Sequence, residues 1–181
     1  MCTGYTVRMP NSIPAIVTSF DLTILARLLV SVVLGAVIGY ERERSGKVAG
    51  LRTHTLVALG SCLFTAVSIL LYTNFPSING VTGYDYHIVA NIIVGIGFIG
   101  AGAIMRQENH VSGTTTAASL WVVAAIGMAS GLGFYKEAVA TTLLAYAVLT
   151  GLWFLEKRMR HSLSYRRQHP ENLGTENHAE S

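Results

Sequence analysis

The chain has 181 residues, of which 51% are hydrophobic and 13% charged, and its mean hydropathy is +0.45. The charge lies mostly outside a few long apolar segments, which is typical of a membrane protein and unlike a soluble globular domain. The net charge of +3 comes with no nucleic-acid-binding motif, so we expect no nucleic-acid partner.

Five segments are long and apolar enough to cross a bilayer, which takes roughly 20 mainly apolar residues. Because lipid offers the backbone no hydrogen-bond partners, each is predicted to be a helix. The sequence therefore predicts an all-α membrane protein, a compact bundle of about five transmembrane helices. The predicted spans are residues 22–40, 53–72, 88–105, 115–132 and 138–155, within a transmembrane domain of residues 21–155.

Two flanking segments contain no predicted span. Residues 1–20 are interrupted by Pro10 and Pro14 and lack the sustained apolar core of a signal peptide, so we interpret them as a leader before the first span. Residues 156–181 are polar and are predicted to form a disordered cytoplasmic tail, which could be helical near Arg158.

Lys and Arg are distributed unevenly between the two ends of the predicted spans. Ten of the thirteen lie in the loops after the first and third spans and in the tail. Only Arg8 and Lys136 lie on the opposite side, and Arg27 lies inside the first span. The positive-inside rule therefore predicts an outside N-terminus and a cytoplasmic C-terminus.

Arg27 lies near the start of the first span, where a charge costs up to about 2.5–3.5 kcal/mol at full depth. We expect its side chain to face other helices or water. The third span begins on the same side of the membrane, so Asp85, His87 and Asn91 are the predicted partners. The alternative is that the side chain extends to the outer headgroups.

The loop between the first two spans is the most densely charged part of the chain. We expect the carboxylates of Glu41 and Glu43 to pair with Arg42, Arg44 and Arg52 in a network that fixes this loop. A network of this kind is a better interpretation than a magnesium cage, because the acidic groups lie at span ends and have arginine neighbours.

The second span carries a polar stripe at helical spacings of 7, 4, 3 and 4 residues. Its members are His54, Ser61, Thr65, Ser68 and Tyr72. Such a stripe favours interhelical hydrogen bonds, with a permeation path as the alternative. The candidate functional cluster comprises polar and charged residues near the span ends: Arg27, Glu41, Arg42, Glu43, Arg52, Thr53, His54, Asp85, His87 and Asn91.

Glycines mark three of the predicted spans. Gly35 with Gly39, and Gly127 with Gly131, have the GxxxG spacing that allows two helices to approach closely. The third span contains Gly95, Gly97, Gly100 and Gly102. For these we favour tight packing against neighbouring helices, with a locally unwound helix lining a cavity as the alternative.

Hydroxyl side chains open the fourth span, among them Thr115 and Thr116. We expect these hydroxyls to cap the free amides of the helix start, although they could also receive an anion or hold the charged loop. No complete catalytic or metal-binding motif is present in the sequence, so we predict no enzymatic activity, cofactor or metal site.

Three runs of residues occur together in a defined order. They are Gly35-x-x-x-Gly39-x-Glu41-Arg42-Glu43 followed by Ala49-Gly50-Leu51-Arg52-Thr53-His54, then Gly95-Ile96-Gly97-Phe98-Ile99-Gly100-Ala101-Gly102, then Thr115-Thr116-Ala117-Ala118-Ser119-Leu120-Trp121. Together they resemble the motifs of the MgtC/SapB family of bacterial inner-membrane proteins. His87 and Thr114 depart from the family pattern, in which an arginine and a leucine are usual at these two places.

The resemblance implies a membrane domain of four or five helices that is associated with growth under magnesium limitation. Some members add a C-terminal ACT-like domain, and we expect this chain to be the short form that lacks it. The main hypothesis is a regulator or adaptor that acts on another membrane protein or on its own copy. The alternative is a secondary transporter or channel for magnesium or another ion.

Overall fold

The computed structural model describes the backbone of residues 22–74, 87–107 and 110–168, and the side chains of residues 22–71, 87–106 and 111–151. These residues form five helices and a small hairpin. The elements are α1 (Leu22–Arg44), α2 (Leu51–Asn74), α3 (His87–Ala103), β1 (Met105–Gln107), β2 (His110–Ser112), α4 (Thr114–Leu132) and α5 (Tyr135–Gln168).

Three helices in the described part of the chain are long and apolar enough to cross a membrane. They are α1, the segment Leu51–Leu71 of α2, and α4. Helix α3 is also apolar but has 17 residues. The prediction of a mainly helical fold is therefore confirmed, and three of its helices are compatible in length and composition with membrane spans.

The segment between α3 and α4 differs from the all-α prediction. Helix α3 ends at Ala103, and strand β1 pairs antiparallel with β2, with Met105 opposite Ser112 and Gln107 opposite His110. The predicted third span extended to residue 105 because periodicity cannot distinguish so short a strand from a helix end.

Helix α5 continues to Gln168, so residues 156–168 of the predicted disordered tail are helical. Composition indicated disorder because this segment has little to bury. However, its Leu, Met, Glu, Lys and Arg residues are good helix formers, and they extend a helix that is already nucleated. Residues 169–181 and the predicted leader, residues 1–20, lie outside the described residues.

Helix α2 lies between α1 and α4 and packs closely against both. A Cβ added to Gly35 would lie 2.6 Å from the Cβ of Ala58, and one added to Gly131 would lie 2.7 Å from the carbonyl oxygen of Cys62. Both GxxxG pairs therefore face α2, and the predicted close approach at these glycines is confirmed. The buried core comprises Leu34, Ile38, Ala58, Val123, Ile126 and Ala138.

Helix α3 packs mainly on α4, where Gly100 faces Ala117. A Cβ added to Gly95, Gly97 or Gly102 would meet nothing within 4 Å in the described structure. The favoured prediction of tight packing is therefore wrong for these three glycines. The unwound alternative is wrong as well, because the helix is continuous from His87 to Ala103. Only one face of α3 contacts α4, and the sequence does not show which face that is.

Candidate functional site

The charged end of α1 is buried. Glu41 and Arg42 are 6% and 2% exposed, and the Arg42 Nε donates to the Glu41 carboxylate. The hydroxyl of Ser45 donates to the other Glu41 oxygen at 2.8 Å. A buried charge without a partner is strongly destabilising, so Glu41 and Arg42 each offset the cost of burying the charge of the other. Ser45 was not among the predicted residues, although it lies one helical turn after Glu41.

Glu43 has a different role from Glu41. Its Oε2 accepts a hydrogen bond from the backbone amide of Leu51 at 2.9 Å, which caps the first turn of α2. Gly50 makes this contact possible, because a Cβ at that position would overlap the Glu43 carboxylate. The loop is thus held at its α2 end by backbone capping rather than by an ion pair.

The predicted arginine network is wrong in its extent. Among the described residues, the ion pair of Arg42 with Glu41 is the only one. Arg44 and Arg52 are exposed, and Glu43 is used as a cap. Proximity in sequence suggested these pairs, but the direction of each side chain depends on how α1 and α2 pack. Arg52 instead lies beside Thr53 at the edge of a groove between α2 and α3.

His54 is hydrogen-bonded at both ring nitrogens, and the bond at Nε2 links α2 to α4. It is fully buried, and its Nδ1 donates to the Gly50 carbonyl oxygen at 2.8 Å. Its Nε2 lies 2.9 Å from the Ser119 Oγ, which is also 2.8 Å from the carbonyl oxygen of Thr116. The predicted interhelical role of the polar stripe is confirmed at His54. Ser119 was not among the predicted residues, because the rotation of α4 about its axis decides which of its hydroxyl groups faces His54.

The next polar residues of the stripe are also buried. Ser61, Thr65 and Ser68 are all at most 3% exposed, and the Thr65 hydroxyl donates to the Ser61 carbonyl oxygen within α2. Thr65 also lies against Gly131 of α4. These side chains are therefore packed between helices. The side chain of Tyr72 lies outside the described residues.

Arg27 faces the bundle, as expected, and the acceptor that the described structure shows for it is a backbone carbonyl group. Its Nη1 donates to the carbonyl oxygen of Gly131 at 2.8 Å, and its buried Nε has no hydrogen-bond partner within the described structure. Asn91 is exposed at the groove, His87 is exposed at the start of α3, and Asp85 lies outside the described residues. The prediction considered only side chains, whereas the last carbonyls of a helix are also strong acceptors.

The start of α4 does not use a hydroxyl cap. Its N-cap residue is Gly113, which has a φ of 87° and makes no side-chain capping bond. A Cβ on Gly113 would overlap the Ala103 carbonyl oxygen, so the turn out of the hairpin requires glycine. The prediction for Thr115 and Thr116 is therefore wrong. Thr115 is exposed, and Thr116 is buried with its carbonyl facing Ser119.

The groove between α2 and α3 was not predicted at this place, although a cavity beside the glycine-rich helix was the alternative interpretation of its glycines. It encloses about 810 Å³ and is mostly apolar, with Gly95 in its α3 wall and Arg52, Thr53 and Asn91 among its few polar residues. Leu56 and other large apolar side chains line the rest. The sequence cannot indicate such a groove, because membrane helices are apolar on both their lipid-facing and their helix-facing sides.

Comparison with known proteins identifies the family. The profile of the MgtC family matches residues 28–158 of the chain. The chain is 45% identical to Protein SapB of Bacillus subtilis over 124 residues, which is 68% of this chain and 53% of that protein. It is 40% identical over 125 residues to an Escherichia coli protein named putative magnesium transporter YhiD, covering 69% of this chain and 58% of that protein.

Protein MgtC of Salmonella typhimurium is 44% identical over 120 residues, which is 66% of this chain and 48% of that protein. The chain therefore spans about half the length of these relatives. No solved structure matches it significantly. The three co-linear motifs, the apolar helices and the match over most of the chain lead to one conclusion: the chain belongs to the MgtC family of membrane proteins.

Proposed function

We propose that this chain is a multi-pass protein of the bacterial inner membrane that acts as a regulator or adaptor of another membrane protein during adaptation to low magnesium. In this proposal residues 21–155 form the membrane domain, with the N-terminus outside and the C-terminus in the cytoplasm. The loop between α1 and α2 then faces the cytoplasm and is the part presented to a partner.

The observation that carries the proposal is the internal use of the carboxylates in this loop. Glu41 is engaged by Arg42 and Ser45, and Glu43 is engaged by the amide of Leu51. Magnesium is bound by carboxylate and other oxygens that are free to coordinate it. These contacts fix the loop as a rigid surface, which suits recognition by a protein better than coordination of an ion.

An ion transporter or channel is the second candidate function. It is supported by the name of the Escherichia coli relative, a putative magnesium transporter, and by the groove of about 810 Å³ between α2 and α3. A cation that used this groove would pass the exposed guanidinium of Arg52 and walls that are mostly apolar. Both features raise the electrostatic barrier for a divalent cation.

Flux measurements separate the two functions. Purified protein is placed in sealed liposomes that contain a magnesium-sensitive dye, and a magnesium gradient is applied. The regulator proposal predicts the same fluorescence trace as protein-free liposomes. A protein-dependent flux that is lost when Asn91, in the groove, is replaced by Leu would support the transporter.

Photocrosslinking in cells tests the presented loop. A photoreactive amino acid at Val48, which is 65% exposed in the loop, is expected to capture a specific membrane protein under low magnesium. The matched control is Leu22, which is 77% exposed at the opposite end of α1. Equal capture from both positions, or no capture from Val48, would contradict the adaptor role.

Thiol labelling tests the orientation in a Cys2→Ser background. A membrane-impermeant maleimide is expected to label Phe134→Cys in intact cells, because the turn between α4 and α5 is predicted to lie outside. Val48→Cys is expected to react only after the membrane is opened. The reverse pattern would exclude the proposed topology.

A further inference from the structure

The groove between α2 and α3 has mostly apolar walls and a positively charged side chain, that of Arg52, at one end. Leu56, Phe64 and Phe98 line it and remain 65%, 57% and 83% exposed. Gly95 leaves its α3 wall open, because a Cβ there would meet nothing within 4 Å. The surface is thus a long apolar depression rather than a packed helix interface.

Arg52 lies at the end of this depression that is formed by the start of α2. Its guanidinium is exposed and forms no ion pair within the described structure, since Arg42 already neutralises Glu41. The hydroxyl residue Thr53 lies next to it on the same groove wall. A charge and a hydroxyl at the mouth of an apolar groove match an amphiphile with an anionic head.

The α2 wall of the groove is close in length to the hydrocarbon thickness of one leaflet. From Arg52 to Phe64 helix α2 rises about 18 Å, at about 1.5 Å per residue. The hydrocarbon of one leaflet is about 15 Å thick, half of a typical bilayer core. The basic end of α2 is also the end that the positive-inside rule places at the cytoplasmic headgroups, where anionic lipids are attracted by basic side chains.

We propose that the groove between α2 and α3 binds an anionic phospholipid, with its acyl chains along Leu56, Phe64 and Phe98 and its phosphate on Arg52 and Thr53. Basic pockets between membrane helices on the cytoplasmic side bind lipid headgroups in this way. The proposal rests on the membrane location and orientation in the proposed function but not on the regulatory role, so its test is independent of the test of that role.

Other occupants fit the groove less well. In a symmetric pair of chains that met at this surface, the two Arg52 side chains would lie at the same depth and repel each other. Residues 1–20 of the chain contain Arg8 and no Asp or Glu, so they offer Arg52 no anion. A magnesium ion would be repelled by the same guanidinium. A phosphate on acyl chains satisfies both the charged and the apolar parts of the groove.

Native mass spectrometry of the full-length protein in detergent tests the proposal. The protein is titrated with phosphatidylglycerol or with phosphatidylethanolamine of identical chains. We expect phosphatidylglycerol to bind at least about fivefold more tightly, the preference that one interfacial cation provides. Glycerol 3-phosphate, which has the head charge without chains, is expected to displace neither lipid.

Two variants and two controls locate the site. Arg52→Gln is expected to abolish the preference for phosphatidylglycerol, whereas Arg44→Gln removes an exposed cation outside the groove and is expected to preserve it. Gly95→Leu fills the groove and is expected to weaken both lipids at least about fivefold. Gly102→Leu adds the same side chain to α3 at an open position outside the groove lining and is expected to change neither affinity.

Four outcomes would overturn the proposal. The first is equal affinity of the wild-type protein for the two lipids. The second is an effect of Arg44→Gln as large as that of Arg52→Gln, or an effect of Gly102→Leu as large as that of Gly95→Leu. The third is a change of oligomeric state in Gly95→Leu with lipid binding intact, which would make the groove an interface between copies. A crosslink from a photoreactive residue at position 64 to residues 1–20 would likewise assign the groove to that segment.

Discussion

The guanidinium of Arg27 donates a hydrogen bond of 2.8 Å to the backbone carbonyl oxygen of Gly131, which is 104 residues later in the chain. Gly131 lies in the last turn of α4, where carbonyl groups have no partner within the helix. The amide of Gly133 already points at the carbonyls of Ala129 and Ser130. Arg27 thus completes the C-terminal cap of α4 and places a positive charge at the negative end of the helix dipole.

Replacement of Arg27 by Leu is therefore expected to lower stability without preventing membrane insertion. The lost charged hydrogen bond corresponds to about 1–3 kcal/mol. The thermal unfolding midpoint in detergent measures the effect, and Arg44→Leu, which removes an exposed arginine at the other end of α1, is the control. Identical midpoints for the two variants would show that the contact with Gly131 contributes nothing.

Glycines that face α2 should tolerate substitution much less than glycines that face open space. In Gly131→Ala the new methyl group would lie 2.7 Å from the Cys62 carbonyl oxygen and 2.8 Å from the Thr65 Cβ. The expected cost is about 1–3 kcal/mol, as for other overpacked sites.

The matched control for Gly131→Ala is Gly97→Ala in α3, where a Cβ would meet nothing within 4 Å in the described structure. It should be neutral, or more stable by up to about 1 kcal/mol because alanine is the better helix former. Both variants are compared by unfolding in denaturant. A larger loss for Gly97→Ala than for Gly131→Ala would contradict the packing of α2 between α1 and α4.

The hydrogen bond between His54 and Ser119 should appear as a coupling energy between α2 and α4. A double-mutant cycle uses His54→Phe, which keeps much of the volume without donors, and Ser119→Ala. The expected coupling is about 0.5–3 kcal/mol, the range for side chains in direct contact. The control is a second cycle that combines His54→Phe with a substitution of Thr142, whose hydroxyl donates to the Ala138 carbonyl oxygen within α5. The effects of these two substitutions on stability are expected to be additive.

Because Arg42 is the arginine of this charged region that forms the buried ion pair, substitutions of Arg42 and Arg52 are expected to differ in their effect on stability. Arg42→Ala leaves Glu41 buried without its cation and is expected to cost about 3–5 kcal/mol. Arg52→Ala removes an exposed side chain and is expected to change stability by less than about 0.5 kcal/mol. If the two variants lost a similar amount of stability in thermal unfolding, the result would support the wider arginine network that the sequence predicted.

The polar residues illustrate how far the sequence could predict the site. His54 could be assigned to a helix interface because it begins a stripe of polar residues at helical spacing, and the structure places it there. Its partner Ser119 could not be assigned, since the rotation of α4 about its axis is fixed by packing on α2. The same limit applies to Arg27, whose acceptor is a backbone group and therefore carries no signal in residue type.

The glycines show the same division. The GxxxG pairs predicted a close helix approach correctly, because two glycines one turn apart leave a side of the helix on which a neighbouring backbone can approach. The glycine-rich run of α3 was misinterpreted, because glycine on a helix is equally compatible with a packed face and an open one. Only the position of α3 beside α4 decides that Gly100 is packed and Gly95 borders a groove.

By itself the sequence determined the chemical class of this protein: apolar helices, their approximate ends, the basic side and the family motifs. The helices, their ends and the basic side follow from composition and periodicity, which act locally and are constrained by the lipid solvent, whereas the motifs are a resemblance carried by particular residues. The tertiary structure decided which charges pair, which carbonyl receives Arg27 and where the groove opens. Those features depend on the rotation and separation of whole helices, and they arise from contacts between residues distant in sequence.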